Sequence, residues 1–345
     1  MKKDYAFFLP QFHETEENNE YWGKGFTEWT NVKAARPYFN GHQQPKAPLT
    51  KYYDLSRKDE LNGQLNECAN SGLDGVIYWH YYFNRSQQAL NHVPKLHLEG
   101  DNKLEFSFAW ANTSWTMSWK GDDRTIIFNQ EYNIKDVPYH ADYLASYMKD
   151  GRYSRIDDLP IFYMLNCNDQ ATVIYVNMLV ERLRVAHGLE IILGLADHIG
   201  EWTFACRTFY FHYPPGTILR QSIRFKLFHK FQRLFKNFGP HRVPAKRYNA
   251  LLAKYLKRVK SDLVPTILTG WDNTPRYGRR GYLVIGGSIR EFVNEQRFTW
   301  RQSSVQSEID ITLWKSWNEW AEGNIMEGYN SLHKDSNSID VNEVK

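Results

Sequence analysis

Eight short apolar runs recur along this chain, each of strand length and each ending in a cluster of polar and aromatic residues. The runs are Tyr5–Leu9, Gly75–Trp79, Glu105–Ala109, Pro160–Met164, Glu190–Leu195, Ala205–Phe211, Val264–Leu268 and Ile309–Lys315. Helical patterns lie between them at Lys58–Asn70, Asp136–Met148, Ala171–His187, Lys246–Lys260 and Ser288–Arg301. Strands that alternate with helices run parallel, because each crossover brings the chain back to the same starting edge. Eight such units predict a closed α/β barrel, the (β/α)8 or TIM barrel. The unit between the fifth and sixth runs is the shortest. No linker, repeat or low-complexity stretch interrupts the chain, so 1–330 reads as one domain and 331–345 as a polar, loosely ordered C-terminal tail.

The runs finish as LPQFH, YWHYYFN, WANTSW, LNCND, ADHIG, FHYPP, GWDNT and WNEWAEG. A barrel gathers the C-terminal ends of its strands at one mouth, so these clusters are expected to meet there. Aromatic residues make up 16% of the chain, and many sit among Asn, His, Glu and Gly rather than among aliphatics. A sugar ring has a C–H face and a rim of hydroxyls, and such a platform suits both. The alternative is a tryptophan-rich core.

The last strand ends Trp317-Asn318-Glu319-Trp320-Ala321-Glu322-Gly323, with Glu327 beyond. Two carboxylates three residues apart face one cleft if the chain turns helical after the strand. Glycosidic chemistry needs one group to give a proton and another to take one or attack. Glu319 and Glu322 are therefore the candidate catalytic pair. Candidate substrate contacts are Gln11 and His13 after the first strand, Glu28 and Trp29 in the following loop, and Trp79, His80 and Tyr81 after the second. Trp110, Asn112 and Trp115 follow the third, Trp271 and Asp272 the seventh, and Trp317, Asn318, Trp320 and Glu327 the eighth. Glu28 binds hydroxyls or ties its loop; His80 binds substrate or is a hydrogen-bonded barrel histidine; Asp272 binds a hydroxyl or caps the next helix.

Between Thr203 and Ser261 there is no Asp or Glu, and Arg220–Lys260 holds thirteen Lys or Arg. That stretch reads as a basic amphipathic surface for an anionic membrane, or as an ordinary solvated helix and loop. No nucleic-acid-binding module is present. No phosphate loop, dinucleotide fingerprint, metal-protease or Cys-x-x-Cys motif occurs, so neither a cofactor nor a metal is expected. Three cysteines without short spacing fit a reducing compartment. The N-terminus has no long apolar run, and a cytoplasmic location, with peripheral contact at the inner membrane, is the expectation.

These blocks resemble the WbsX family, bacterial proteins of cell-surface polysaccharide loci described as glycosyltransferases, itself similar to glycoside hydrolase family 99, the endo-α-mannosidases. The likeness runs from Phe7-Phe8-Leu9-Pro10-Gln11-Phe12-His13 through Gly25–Val32, Tyr78–Asn84, Trp110-Ala111-Asn112 and Gly270–Arg276 to Glu327. It implies a glycosyltransferase acting on a glycan in O-antigen or capsule synthesis; the basic amphipathic stretch suits a lipid-linked one. A retaining endo-α-mannosidase-like hydrolase or transglycosidase and a non-catalytic glycan-binding protein are the alternatives. By the same resemblance Glu319 is the base that activates a sugar 2-hydroxyl, and Glu322 is the acid at the glycosidic oxygen. The chain departs from the family at Thr113, at Met117-Ser118 and at Gly328-Tyr329-Asn330-Ser331. Those positions bear on sugar specificity and, at Met117-Ser118 where arginines are common in the family, on any contact to an anionic donor, not on the pair.

Overall fold

The computed structural model describes residues 2–117, 124–167, 169–197, 202–234, 239–259, 263–305, 307–331, 334–337, 339 and 341. Eight strands form a ring: β1 (Lys3–Phe8), β2 (Gly75–Asn84), β3 (Glu105–Trp110), β4 (Leu159–Met164), β5 (Ile192–Ala196), β6 (Arg207–Phe211), β7 (in two pieces, Leu263–Val264 and Thr266–Leu268) and β8 (Ile311–Lys315). Each pairs in parallel with the next, and β8 closes on β1 through Lys3↔Ile311 to Ala6↔Trp314. The break in β7 falls at Pro265, which has no N–H to give to a ladder. Its first piece pairs with β6, its second with β8, and Pro265 O still accepts the Leu313 N–H at 2.8 Å.

Parallel strands in a barrel are covered on both faces, which is why they read as unbroken apolar runs. Inside the ring Phe7 stacks on Trp79 at 4.9 Å and meets Phe211 at 6.0 Å and Tyr163 at 6.4 Å. Outside it lie the helices, among them α1 (Lys58–Asn70), α2 (Val137–Met148), α3 (Gln170–His187), α4 (Ile223–Leu234), α5 (Ala245–Leu256) and α6 (Ile289–Arg301). Their ends have local causes. Asp169 caps α3 by accepting from Thr172 N at 2.9 Å, and Gly188 ends it in the left-handed region at φ 66°. Ser288 and Glu291 cap α6 reciprocally, at 3.1 and 2.8 Å. Between Ala196 and Arg207 no helix occurs among the described residues, as the short spacing suggested.

The C-terminal stretch departs from the loose tail expected from 331 onward. Tyr329–Ser331 pairs with Lys46–Pro48 on one side and Lys334–Asn337 on the other. Ile339 and Val341 are buried, and their N–H groups donate to Met326 O and Ser71 O at 3.1 and 2.8 Å. Two apolar residues spaced by one in a polar segment were enough to tie it to the barrel. Among the described residues no helix is long and apolar enough to cross a membrane.

Candidate active site

β8 ends in Lys315, which is wholly buried. Beyond it the chain folds back tightly. Ser316 Oγ accepts the Glu319 N–H at 3.1 Å and donates to Asn324 O at 2.8 Å. Asn318-Glu319 pairs with Asn324-Ile325 around a single 3-10 turn, Trp320–Glu322. Gly323 closes that turn at φ 67°, and a Cβ there would lie 2.7 Å from the Asp272 nitrogen. Only glycine fits both the conformation and the approach. The fold-back brings both carboxylates to one ammonium: Lys315 Nζ donates to Glu319 Oε2 and, at 3.3 Å, to Glu322 Oε2.

The other donors are set by neighbouring strands. Trp79, from β2, donates its indole N–H to Glu319 Oε1 at 2.6 Å. Arg276, after β7, donates to Glu322 Oε1 and lies 3.7 Å from Glu28 Oε2. Glu28 Oε1 accepts the Ala321 N–H at 2.8 Å; Glu28 and Trp29 open a short helix, Glu28–Ala34, where a loop was expected, and the bond holds the strand-8 turn against it. The Lys315 ammonium sits 4.7 Å from the Tyr213 ring centre and 5.5 Å from that of Trp271. Glu319 is buried, whereas the Glu322 side chain keeps 18% of its surface open.

Burial and pairing separate the two carboxylates. Burial pushes Glu319 up, and Lys315 only partly opposes it. Burial also acts on Glu322, but the charges of Arg276 and Lys315 overcome it and hold that carboxyl down at about 2. The same two carboxylates offset the desolvation of Lys315 and keep it charged. Burial lifts Glu28 to about 7 against the pull of Arg276. Lys315 and Arg276 thus lie among three carboxylates, Glu28, Glu319 and Glu322, with Glu319 pushed up and Glu322 pulled down.

Of the other expected residues, Tyr81 faces the cluster, since burial and the Glu319 charge raise its phenol. Trp115 meets Tyr81 edge-on at 5.0 Å. Trp271 stacks on Tyr282 at 5.4 Å beside Lys315. Several others point elsewhere. His80 is one residue on from Trp79, so it faces the helices; its Nε2 meets His140 Nε2 at 3.0 Å, and burial pushes its pKa down to about 3. Trp110 donates to Tyr82 O at 3.0 Å and packs on His140. Asn112 is spent on Asn166, donating to its O and accepting from its N at 2.9 Å, and on Tyr132 at 3.0 Å. Trp317 donates to Gln64 Oε1 of α1 at 2.8 Å. Asn318 locks Leu9 by bonds of 2.7 and 3.1 Å.

The N-terminal loop is tied in the same way. Gln11 donates to Asn18 Oδ1 at 3.2 Å, and Trp29 donates to Tyr53 O at 2.8 Å while packing edge-on against Trp320. Trp320 and Tyr53 both donate to Glu327 Oε1, whose carboxyl burial lifts to about 8. His13 is buried near His92, and burial lowers its pKa. Asp272 accepts from Thr274 N at 3.0 Å and Gln44 Nε2 at 2.8 Å, and pairs with His42 Nε2 at 2.9 Å, so it caps and braces. In Glu28 the tying role prevails. Lys315, Arg276 and Tyr213 were absent from the expected set. The signal for Lys315 was a lone lysine closing an apolar strand, a place where a cation needs a partner.

A family model described as Glycosyltransferase WbsX matches residues 4–335. A Xanthomonas campestris pv. campestris (strain B100) protein described as "Uncharacterized protein WxcX" is 27% identical over 93% of this chain and 46% of its own length. A second such protein, from strain ATCC 33913, is 28% identical with the same coverage. The chain thus spans about half the length of these relatives. Among solved structures, the GH99 endo-alpha-mannosidase from Bacteroides thetaiotaomicron aligns with a TM-score of 0.55, at 10% identity, over 98% of this chain and 92% of the other. A structure described as a glycoside hydrolase-like protein aligns with the same TM-score, at 13% identity, over 96% of this chain and 88% of the other. These two share the barrel fold.

Proposed function

Because the chain belongs to the WbsX glycosyltransferase family, we propose that this carbohydrate-active barrel makes glycosidic bonds in bacterial surface polysaccharide synthesis, using a donor whose leaving group departs as an anion. The observation that carries this reading is the pairing of Glu322: Arg276 and Lys315 both donate to its carboxylate, and their charges pull its pKa down, which favours the form with no proton to give to a glycosidic oxygen. A glycosyl phosphate or diphosphate needs no such proton. It needs cations where negative charge develops, and Lys315 and Arg276 supply them without reorganising. Glu319 takes the proton of the attacking hydroxyl; its buried setting raises its basicity toward the working pH, which favours a general base. Tyr81 and Tyr213, both half-buried beside the cluster, offer rings to the sugar.

The competing reading is a retaining hydrolase or transglycosidase, favoured by the two carboxylates at the end of β8. It requires substrate to displace Arg276 so that Glu322 is protonated. Glu319→Gln and Glu322→Gln, assayed with a panel of glycosyl diphosphate donors and an oligosaccharide acceptor, separate the two. Transfer through an anionic leaving group predicts a loss of at least about 100-fold for Glu319→Gln and of less than about tenfold for Glu322→Gln. Equal losses, with free sugar released from the oligosaccharide, would establish the hydrolase. No turnover by wild type or either variant, with sugar binding seen by calorimetry, would leave a glycan-binding protein.

A further inference from the structure

We propose that α4 is a docking surface for an anionic membrane, placed so that the barrel mouth lies beside the lipid. Three large apolar side chains of α4 face solvent: Ile223 at 74% exposure, Leu227 at 50% and Phe231 at 50%. They recur every four residues, within an arc of about 80° on an ideal helix. Arg224, Lys226 and Lys230 are exposed beside them. An ordinary solvated helix carries its charges on that face and its apolar residues on the other.

The inner face of α4 is packed against the rest of the fold. Phe225 stacks on His241 at 5.3 Å and meets Tyr282 edge-on at 5.2 Å. Gln232 donates to Gly239 O at 3.0 Å and Gly281 O at 3.3 Å. The outward apolar stripe is thus built into a docked helix. A 12-residue helix is about 18 Å long, too short to cross a bilayer, and suits one lying in the headgroup plane.

Charge selects the occupant. The stretch from Thr203 to Ser261 has no acidic residue and includes thirteen Lys or Arg between Arg220 and Lys260. A second copy docked through the same patch about a two-fold axis would set Arg224, Lys226 and Lys230 against their own counterparts. An anionic lipid surface neutralises them and takes the three apolar side chains into its interface. Position follows from contacts: Phe225 packs on Tyr282, Tyr282 stacks on Trp271 at 5.4 Å, and the Trp271 ring centre is 5.5 Å from Lys315 Nζ. The patch therefore shares the catalytic end of the barrel. A lipid-carried substrate at that end rests on the function proposed above; the docking itself does not.

The test is sedimentation of the 345-residue chain with vesicles. Vesicles of equal parts phosphatidylcholine and phosphatidylglycerol are compared with phosphatidylcholine alone, at low and high salt. Wild type is expected to bind the anionic vesicles at low salt only. Replacing Arg224, Lys226 and Lys230 together by Gln weakens binding about 100-fold. Replacing Ile223, Leu227 and Phe231 together by Ser weakens it at least about tenfold. Both variants change exposed positions, and unchanged circular-dichroism melting verifies their fold; if the serine variant unfolds, the glutamine variant decides. No binding by wild type, or binding untouched in a folded variant, overturns the proposal. So does a wild-type dimer, seen by light scattering, that the serine variant converts to monomer. None of these readouts needs turnover, so they fail or succeed independently of the transferase reading.

Discussion

The strand-8 side of the mouth and the ends of β2 to β4 both collect aromatic and polar side chains, yet they are solvated in opposite ways. On the strand-8 side, Lys315, Glu319, Glu322 and Arg276 are charged and satisfy one another inside the ring. At β2–β4, His80, His140, Trp110 and Tyr175 are neutral and stack outside it, with His140 Nδ1 meeting Tyr175 OH at 3.2 Å. Strand parity separates them: Trp79 points inward to Glu319 and His80, the next residue, outward to α2. A charged cluster inside a barrel mouth can act on a substrate. A neutral cluster under the helices supports the wall.

Four experiments press on that contrast. Lys315→Met leaves buried Glu319 and half-buried Glu322 without their shared cation and should cost about 3–5 kcal/mol in denaturant unfolding; wild-type stability would mean that the charges are not coupled. Glu319→Gln should lower kcat by at least about 100-fold, measured below its melting temperature where its circular-dichroism spectrum matches wild type. His80→Ala strands the His140 ring nitrogen and should cost about 1–3 kcal/mol of stability while leaving KM alone; a raised KM with intact stability would move His80 into the substrate site. Glu327→Gln should have the smallest effect near neutral pH. Burial lifts the Glu327 carboxyl to about 8, above its ordinary 4.5, so the folded chain keeps a proton that the unfolded chain releases. Stability therefore falls as pH rises from about 4.5 to 8, and the glutamine variant should flatten that slope. An unaltered slope in thermal melts across that range would place the Glu327 carboxyl in water.

Periodicity carried most of the fold. Lys58–Asn70 has the bounds that its pattern predicted, and all eight strands occur where the apolar runs lie. The break at Pro265 was visible as a proline inside a run, but which piece pairs with which neighbour depends on ring closure and not on local sequence. The pairing of the two carboxylates was legible because the turn that brings Glu319 to Glu322 is local, fixed by Gly323 and Ser316. The other candidates were harder to read, since a strand-end cluster does not reveal which residues face the ring. Asn112, Trp317 and Asn318 are consumed by backbone and side-chain partners up to 309 residues away in sequence. Arg276 lay in a recognised block, but its partner Glu322 is brought to it only by the adjacency of β7 and β8.

Mass spectrometry of the products tests the central claim most directly. Wild type and Glu319→Gln are incubated with glycosyl diphosphate donors and an oligosaccharide acceptor, the acceptor both free and lipid-linked. The account predicts an acceptor longer by a single sugar, formed by wild type and absent with Glu319→Gln. A shortened acceptor or free oligosaccharide fragments, again from wild type alone, would contradict it and assign the paired carboxylates to hydrolysis.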